Sequence, residues 1–273
     1  MKFTTALLAA SLAAPLASAT SILLPLYVYP SVSLNSWQPV YDAAAGNPDV
    51  DFYIIVNPDS GPGAGTYAND NSDYQLGLSK LNSYSNVRIL GYVHTTYGAD
   101  SPAAINANVT KYANWSKYTA RNISVAGIFF DEVSATQSHL QYYTSLSDNA
   151  YDTIPSKDVS VVLNPGTNFS VTAYYDICDF AVVYECPLGG DPSDPVNGCK
   201  AYRDQTTINA NVNKGFEEQA AILVRSYTGS SAQLNNSVAL AAKDNIGAFY
   251  ATKNFNYDDI SLLKQQAAVL QDS

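Results

Sequence analysis

The segment Gly127-Ile128-Phe129-Phe130-Asp131-Glu132 closes an apolar run on two adjacent acids, and Phe180-Ala181-Val182-Val183-Tyr184-Glu185 closes a second run on another. Unpaired charges are strongly disfavoured inside a core, so these acids should emerge where their strands end. A pair of strand-end carboxylates suits glycosidic bond cleavage. One protonates the leaving oxygen, and the other attacks the sugar carbon or activates water. The reading assigns Asp131 as nucleophile or base, Glu185 as general acid and Glu132 as a supporting carboxylate, with acid and nucleophile open to exchange. Because successive side chains on a strand face opposite ways, Asp131 and Glu132 can share a site only if the strand has already ended. The competing reading has these acids capping helices or pairing with Arg225. Arg225 could equally keep one carboxylate ionised while burial raises the pKa of the other.

The elements that must position these groups are eight short apolar runs. They lie at 22–29, 52–57, 87–94, 125–131, 159–164, 180–185, 221–226 and 246–251. Rich in Val, Ile, Phe and Tyr and nearly continuous in hydrophobicity, they read as parallel strands buried on both faces. Helical spacing separates them: Leu34, Trp37, Val40, Tyr41 and Ala44; Ile105, Val109 and Tyr112; Ile260, Leu263, Ala267 and Leu270. These stripes are core-facing helix faces. The alternation predicts a single-domain α/β fold, a (β/α)₈ TIM barrel over residues 20–273. An open doubly wound sheet would want a phosphate-binding loop. The cluster Gly61-Pro62-Gly63-Ala64-Gly65 is a poor one, because Pro62 removes a backbone donor. It reads instead as a rigid turn at the barrel mouth. The Gly/Pro/Asp-rich stretch 187–215 is long for a loop and is expected to shape the site.

Barrel enzymes carry their chemistry at the C-terminal strand ends. There the chain delivers Tyr27, Asn57, Tyr92, His94, Asn164, Tyr184, Arg225 and Tyr250, all read as substrate-binding candidates. The fourth and sixth strands lie in one layer set, so Asp131 and Glu185 can face each other. Flat tyrosine faces with a hydroxyl suit sugar rings, although most of the 21 tyrosines serve packing. His94 and His139 are the only histidines; His139 is expected in a helix facing solvent. No HxxxH or CxxC spacing exists, so neither metal nor cofactor is expected. The Gly-X-Ser-X-Gly elbow of serine hydrolases is absent.

Lys2, the apolar run 6–16 and Ala17-Ser18-Ala19 have the layout of a secretory signal peptide over residues 1–19. The run is too short to span a bilayer, which takes about 20 residues. The expected product is therefore exported, extracellular or in the cell wall, with no membrane span and as a monomer. Only 14% of residues are charged. Glycans on the sequons at Asn108, Asn114, Asn122, Asn168 and Asn235 are expected to aid solubility. The net charge of −10 argues against nucleic acid and for a cationic ligand. Of three cysteines, Cys186 and Cys199 are the favoured disulfide, leaving Cys178 at the start of a buried strand; spacing alone does not fix the pairing.

Several stretches resemble the spherulin-4 (spherulation-specific) family of fungi and slime moulds. They are Leu24-Pro25-Leu26-Tyr27-Val28-Tyr29-Pro30, Asn57-Pro58-Asp59-Ser60-Gly61-Pro62-Gly63, Gly91-Tyr92-Val93-His94-Thr95, Gly127 to Glu132, Asn164-Pro165-Gly166 and Tyr184-Glu185. The resemblance implies a (β/α)₈ glycoside hydrolase. It further implies action on galactosaminogalactan, an α-1,4-linked polymer of galactose and partly deacetylated N-acetylgalactosamine, with the family's acidic residues falling on Asp131, Glu132 and Glu185. A partly cationic polysaccharide agrees with the acidic surface. Two rival readings stay open here: a non-catalytic cell-wall or spore-coat protein that binds polysaccharide, and substrate-assisted hydrolysis needing one essential acid.

Overall fold

The computed structural model describes residues 19–190, 200–202 and 204–273. Eight parallel strands close into a barrel in sequence order: β1 (Ser21–Leu26), β2 (Phe52–Val56), β3 (Val87–His94), β4 (Gly127–Asp131), β5 (Ser160–Leu163), β6 (Phe180–Cys186), β7 (Ala220–Val224) and β8 (Ala248–Ala251). Closure leaves no free edge, as β1 pairs with both β2 and β8. The strands begin and end within a few residues of the apolar runs in the sequence.

Around them lie α1 (Gln38–Gly46), α2 (Ser72–Leu81), α3 (Pro102–Asn114), α4 (Leu140–Thr153), α5 (Gln205–Asn211), α6 (Ser231–Lys243) and α7 (Leu263–Gln271). The β5–β6 crossover holds a 3₁₀ helix, Thr172–Ile177, where the alternation calls for an α-helix. The helical stripes pack as expected, except that Leu34 precedes α1 and is exposed. No helix among the described residues is long and apolar enough to cross a membrane.

Two interior features set the direction of the side chains. Gly91 on β3 lies under the Tyr112 ring of α3; a Cβ there would meet that ring at 2.6 Å, so the neighbouring Tyr92 is the residue left facing the barrel interior. On β6, Phe180 points inward, its ring 5.0 Å from Tyr53 of β2. Strict alternation from Phe180 would turn Glu185 outward. A register shift between Val182 and Tyr184 against β7 inserts one extra residue and reverses the alternation. Glu185 then faces inward and Tyr184 outward.

The proposed leader, residues 1–19, lies outside the described residues except for Ala19. Cys199 lies outside them as well. Cys186 is disulfide-bonded, and Cys178 is a buried free thiol just before β6. Asn122 and Asn235 are exposed, whereas Asn108, Asn114 and Asn168 are half-buried.

Candidate active site

The inward ends of β3, β4, β5 and β6 converge on one set of hydrogen bonds. Asn164, the residue after β5, donates from Nδ2 to Asp131 Oδ1 at 2.8 Å and to Glu185 Oε2 at 3.0 Å. One amide nitrogen thus spends both its protons on two carboxylates. Tyr92 donates its hydroxyl to Asp131 Oδ2 at 2.8 Å, and Tyr257 donates to Glu185 Oε1 at 2.8 Å. Each acid therefore has one tyrosine of its own and a half-share of Asn164. The amide is itself oriented, because its Oδ1 accepts from Gly166 N at 2.9 Å. Gly166 has a φ of +67°, which the Asn-Pro-Gly turn supplies without side-chain strain.

Burial raises the Glu185 carboxyl above the ordinary carboxylate range. The amide of Asn164 and the hydroxyl of Tyr257 pull it back, Asp131 pushes it further up, and the Arg225 charge lowers it. Burial likewise raises the phenols of Tyr92 and Tyr257, each next to a carboxylate. They stay protonated and remain donors. Tyr27, beyond β1, stands edge-on to both, 5.9 Å from Tyr92 and 6.0 Å from Tyr257. Beneath Asp131, Phe129 stacks on Tyr92 at 6.1 Å, forming the apolar floor.

Glu132 joins Asp131 in the same cleft. The strand ends at Asp131, and Glu132 takes a φ of +55°, so the alternation that would separate them no longer applies. Left-handed backbone is uncommon for a non-glycine residue and clusters at functional sites. The cleft, about 160 Å³, is lined by Tyr97, Asp131, Glu132, Asn164, Glu185 and Arg225, with the Pro165-Gly166 turn. Arg225 makes no ion pair within 4.0 Å among the described residues. Its guanidinium lies over the Phe255 ring, 4.1 Å from the centroid, and its Nε is buried without a partner among the described residues. A cation resting on an aromatic face and lining the cleft thus stands where the competing reading put an Arg225–carboxylate ion pair.

Four of the candidates at the strand ends sit elsewhere. Tyr184 is 0% exposed, because it neighbours Glu185 and must face the other side of the sheet; its hydroxyl donates to Pro187 O. Tyr250 is also 0% exposed, with its hydroxyl donating to Asp259 O. Neither presents a face to a ligand. His94 leans over the rim toward the β3–α3 loop, Nδ1 lying 3.2 Å from Thr96 Oγ1 and 3.5 Å from Asp100 Oδ2. Asn57 builds the glycine turn instead, its Oδ1 accepting from Gly61 N at 2.7 Å. His139 is half-buried at the end of a 3₁₀ turn rather than on a solvent-facing helix, and its Nδ1 contacts the hydroxyls of Ser134 and Thr136.

Three residues of the site have no strand-end signature. Tyr257 and Phe255 lie in the β8–α7 loop, and Tyr97 in the β3–α3 loop. Tyr97 and Phe255 are 62% and 60% exposed, the largest outlays of aromatic surface at the mouth. A motif Asn-Phe-Asn-Tyr after the last strand was the available signal. No group of three or more metal-ligating side chains occurs among the described residues.

A closed parallel barrel with its carboxylates gathered at the C-terminal mouth is the (β/α)₈ architecture with an acid-lined cleft. Residues 21–269 match the model of spherulation-specific family 4, and the chain belongs to that family. It is 39% identical over 166 residues to spherulin-4 of Physarum polycephalum; the match covers 60% of this chain and 44% of that protein, under half its length. Its fold superposes on Aspergillus clavatus Sph3, crystallised in complex with GalNAc, with a TM-score of 0.78 and 26% identity over 93% of this chain and 98% of the other. A chitinase from Rhizomucor miehei shares the fold at TM-score 0.50 and 12% identity, covering 93% of this chain and 99% of its own.

Proposed function

We propose that the protein is a secreted glycoside hydrolase that cuts within a hexosamine-containing polysaccharide, an endo-α-1,4-galactosaminidase acting on galactosaminogalactan-like chains. The observation that carries this is the single Asn164 amide bridging Asp131 and Glu185. Bonds of 2.8 and 3.0 Å to one nitrogen keep the nearest carboxylate oxygens within about 6 Å, close enough for both acids to flank one glycosidic bond.

In this scheme Glu185, whose pKa burial raises, gives its proton to the glycosidic oxygen as the bond to the anomeric carbon breaks. Asp131, which accepts two hydrogen bonds, attacks that carbon and forms a glycosyl ester. Glu185, now ionised, takes a proton from water as the water displaces Asp131, and both groups return to their starting states. Glu132 adds negative charge beside the developing oxocarbenium ion. The open faces of Tyr97 and Phe255 suit sugar C–H surfaces. GalNAc bound to Sph3 and the net charge of −10 support an amino-sugar polymer as substrate.

Export through a leader at 1–19, with glycans at the five sequons, belongs to the same proposal. Glycopeptide mapping and N-terminal sequencing of the secreted protein check it, with Thr20 expected first.

The functional test incubates the protein with a panel of fungal polysaccharides, scored by reducing ends and mass spectrometry. Galactosaminogalactan should yield oligosaccharides, and Asp131→Asn and Glu185→Gln should each slow release by about 10²–10⁴-fold. Tight binding with no new reducing ends would make the protein a polysaccharide-binding module instead.

A further inference from the structure

Glu132 reaches the cleft only because the backbone turns left-handed immediately after β4, and a side chain outside the cleft holds that turn. Thr95 follows β3 and is 0% exposed, so its hydroxyl must find partners within the protein. Its Oγ1 lies 2.9 Å from Asp131 O, 2.9 Å from Glu132 O and 2.9 Å from Tyr143 Oη. The two carbonyls accept only, so the single Thr95 hydroxyl proton is shared between them. Tyr143 must then donate to Thr95 Oγ1, and the Tyr143 oxygen in turn accepts from Ser134 N at 2.9 Å. The chain of bonds runs one way: Ser134 N–H to Tyr143, Tyr143 O–H to Thr95, Thr95 O–H to the carbonyls on both sides of the turn.

The backbone repeats the grip. Thr95 N donates to Asp131 O at 3.0 Å, Tyr97 N to Glu132 O at 2.8 Å, and Val133 N to Asn164 O at 2.9 Å. These bonds would survive loss of the hydroxyl, but only the hydroxyl ties the carbonyls before and after the Glu132 N–Cα bond to one point. An extended Glu132 would swing its carbonyl away from Thr95 and its side chain toward the helices.

The geometry points to Thr95, backed by Tyr143, as a positioning residue that fixes consecutive carboxylates of Asp131 and Glu132 on one side of the cleft. It touches neither carboxylate and acts through their main chain. The inference rests on the hydrolase reading for its kinetic consequence, but not for its structural one.

The test compares Thr95→Val, which keeps the volume and removes the hydroxyl, with Thr95→Ser, which keeps the hydroxyl. With a polymer that the wild type cuts, Thr95→Val should lose about a hundredfold in kcat, the scale of a misplaced catalytic group. Its KM should stay within about twofold, since the aromatic binding faces are intact. Thr95→Ser should recover to within about threefold of wild type. Crystal structures give the second readout: Glu132 should leave the cleft in Thr95→Val and stay in Thr95→Ser. If Thr95→Val does not fold, Thr95→Ala, which also removes the hydroxyl, should show the same kcat loss and displaced Glu132. A wild-type kcat with Glu132 in place in the hydroxyl-less variants overturns the inference. A wild type inert on every polymer sinks the hydrolase reading alone, and the position of Glu132 still decides this one.

Discussion

Replacing Tyr257 by Phe removes one donor from Glu185 and leaves the ring against Tyr27, so its effect is nearly pure electrostatics. The Tyr257 hydroxyl lies 2.8 Å from Glu185 Oε1 and favours the ionised carboxylate. The other groups facing Glu185 are Asn164, Asp131 and Arg225, and the substitution leaves all three in place. A hydrogen bond to a charged group is worth about 1.5–3 kcal/mol, and one pH unit corresponds to about 1.4 kcal/mol. Losing the bond should raise the Glu185 titration by about one to two pH units. A general acid works while protonated, so the alkaline limb of the kcat/KM–pH profile should move upward by that amount, with the acid limb in place. The assay is reducing-end release at limiting polymer across pH 3–9. An alkaline limb that stays put, or moves to lower pH, refutes the assignment of Glu185 as the acid held by Tyr257.

Tyr92→Phe should lower kcat by about tenfold or more with the same polymer, because Asp131 loses the donor that holds its Oδ2 at 2.8 Å. Asn164→Ala should lower kcat by about a hundredfold or more, measured with the same polymer, because both carboxylates lose a shared donor and their spacing. Glu185→Gln, which slows cleavage, should nonetheless raise the melting temperature at neutral pH by about 2–4 °C. A carboxyl whose folded pKa is raised stabilises the fold below its unfolded pKa, and that contribution is lost as pH rises through the folded value, so the neutral amide gains most at high pH. Scanning calorimetry from pH 4 to pH 8 should show the difference widening. Phe255→Ala should raise KM several-fold with kcat nearly unchanged, as expected for a face that binds sugar and takes no part in bond breaking.

The barrel was legible in the sequence because strands buried on both faces leave continuous apolar runs, and eight of them alternate with helical stripes. The acids were legible for a related reason: a charge directly after such a run has no place except the mouth. Which neighbours point where was not. Tyr184 and Glu185 are adjacent, so only one can face inward, and the choice is made by one extra residue between Val182 and Tyr184 that is visible only as a register shift against β7. Glu132 shares the cleft with Asp131 because its backbone is left-handed, a state no side-chain pattern announces for a glutamate. Tyr257 and Phe255 come from a loop far along the chain, and proximity across a closed barrel leaves no local spacing to read. Local hydrophobicity thus determines the elements and the rim on which the acids sit. Side-chain direction depends on bulges, turns and partners remote in sequence, and the packed barrel decides it.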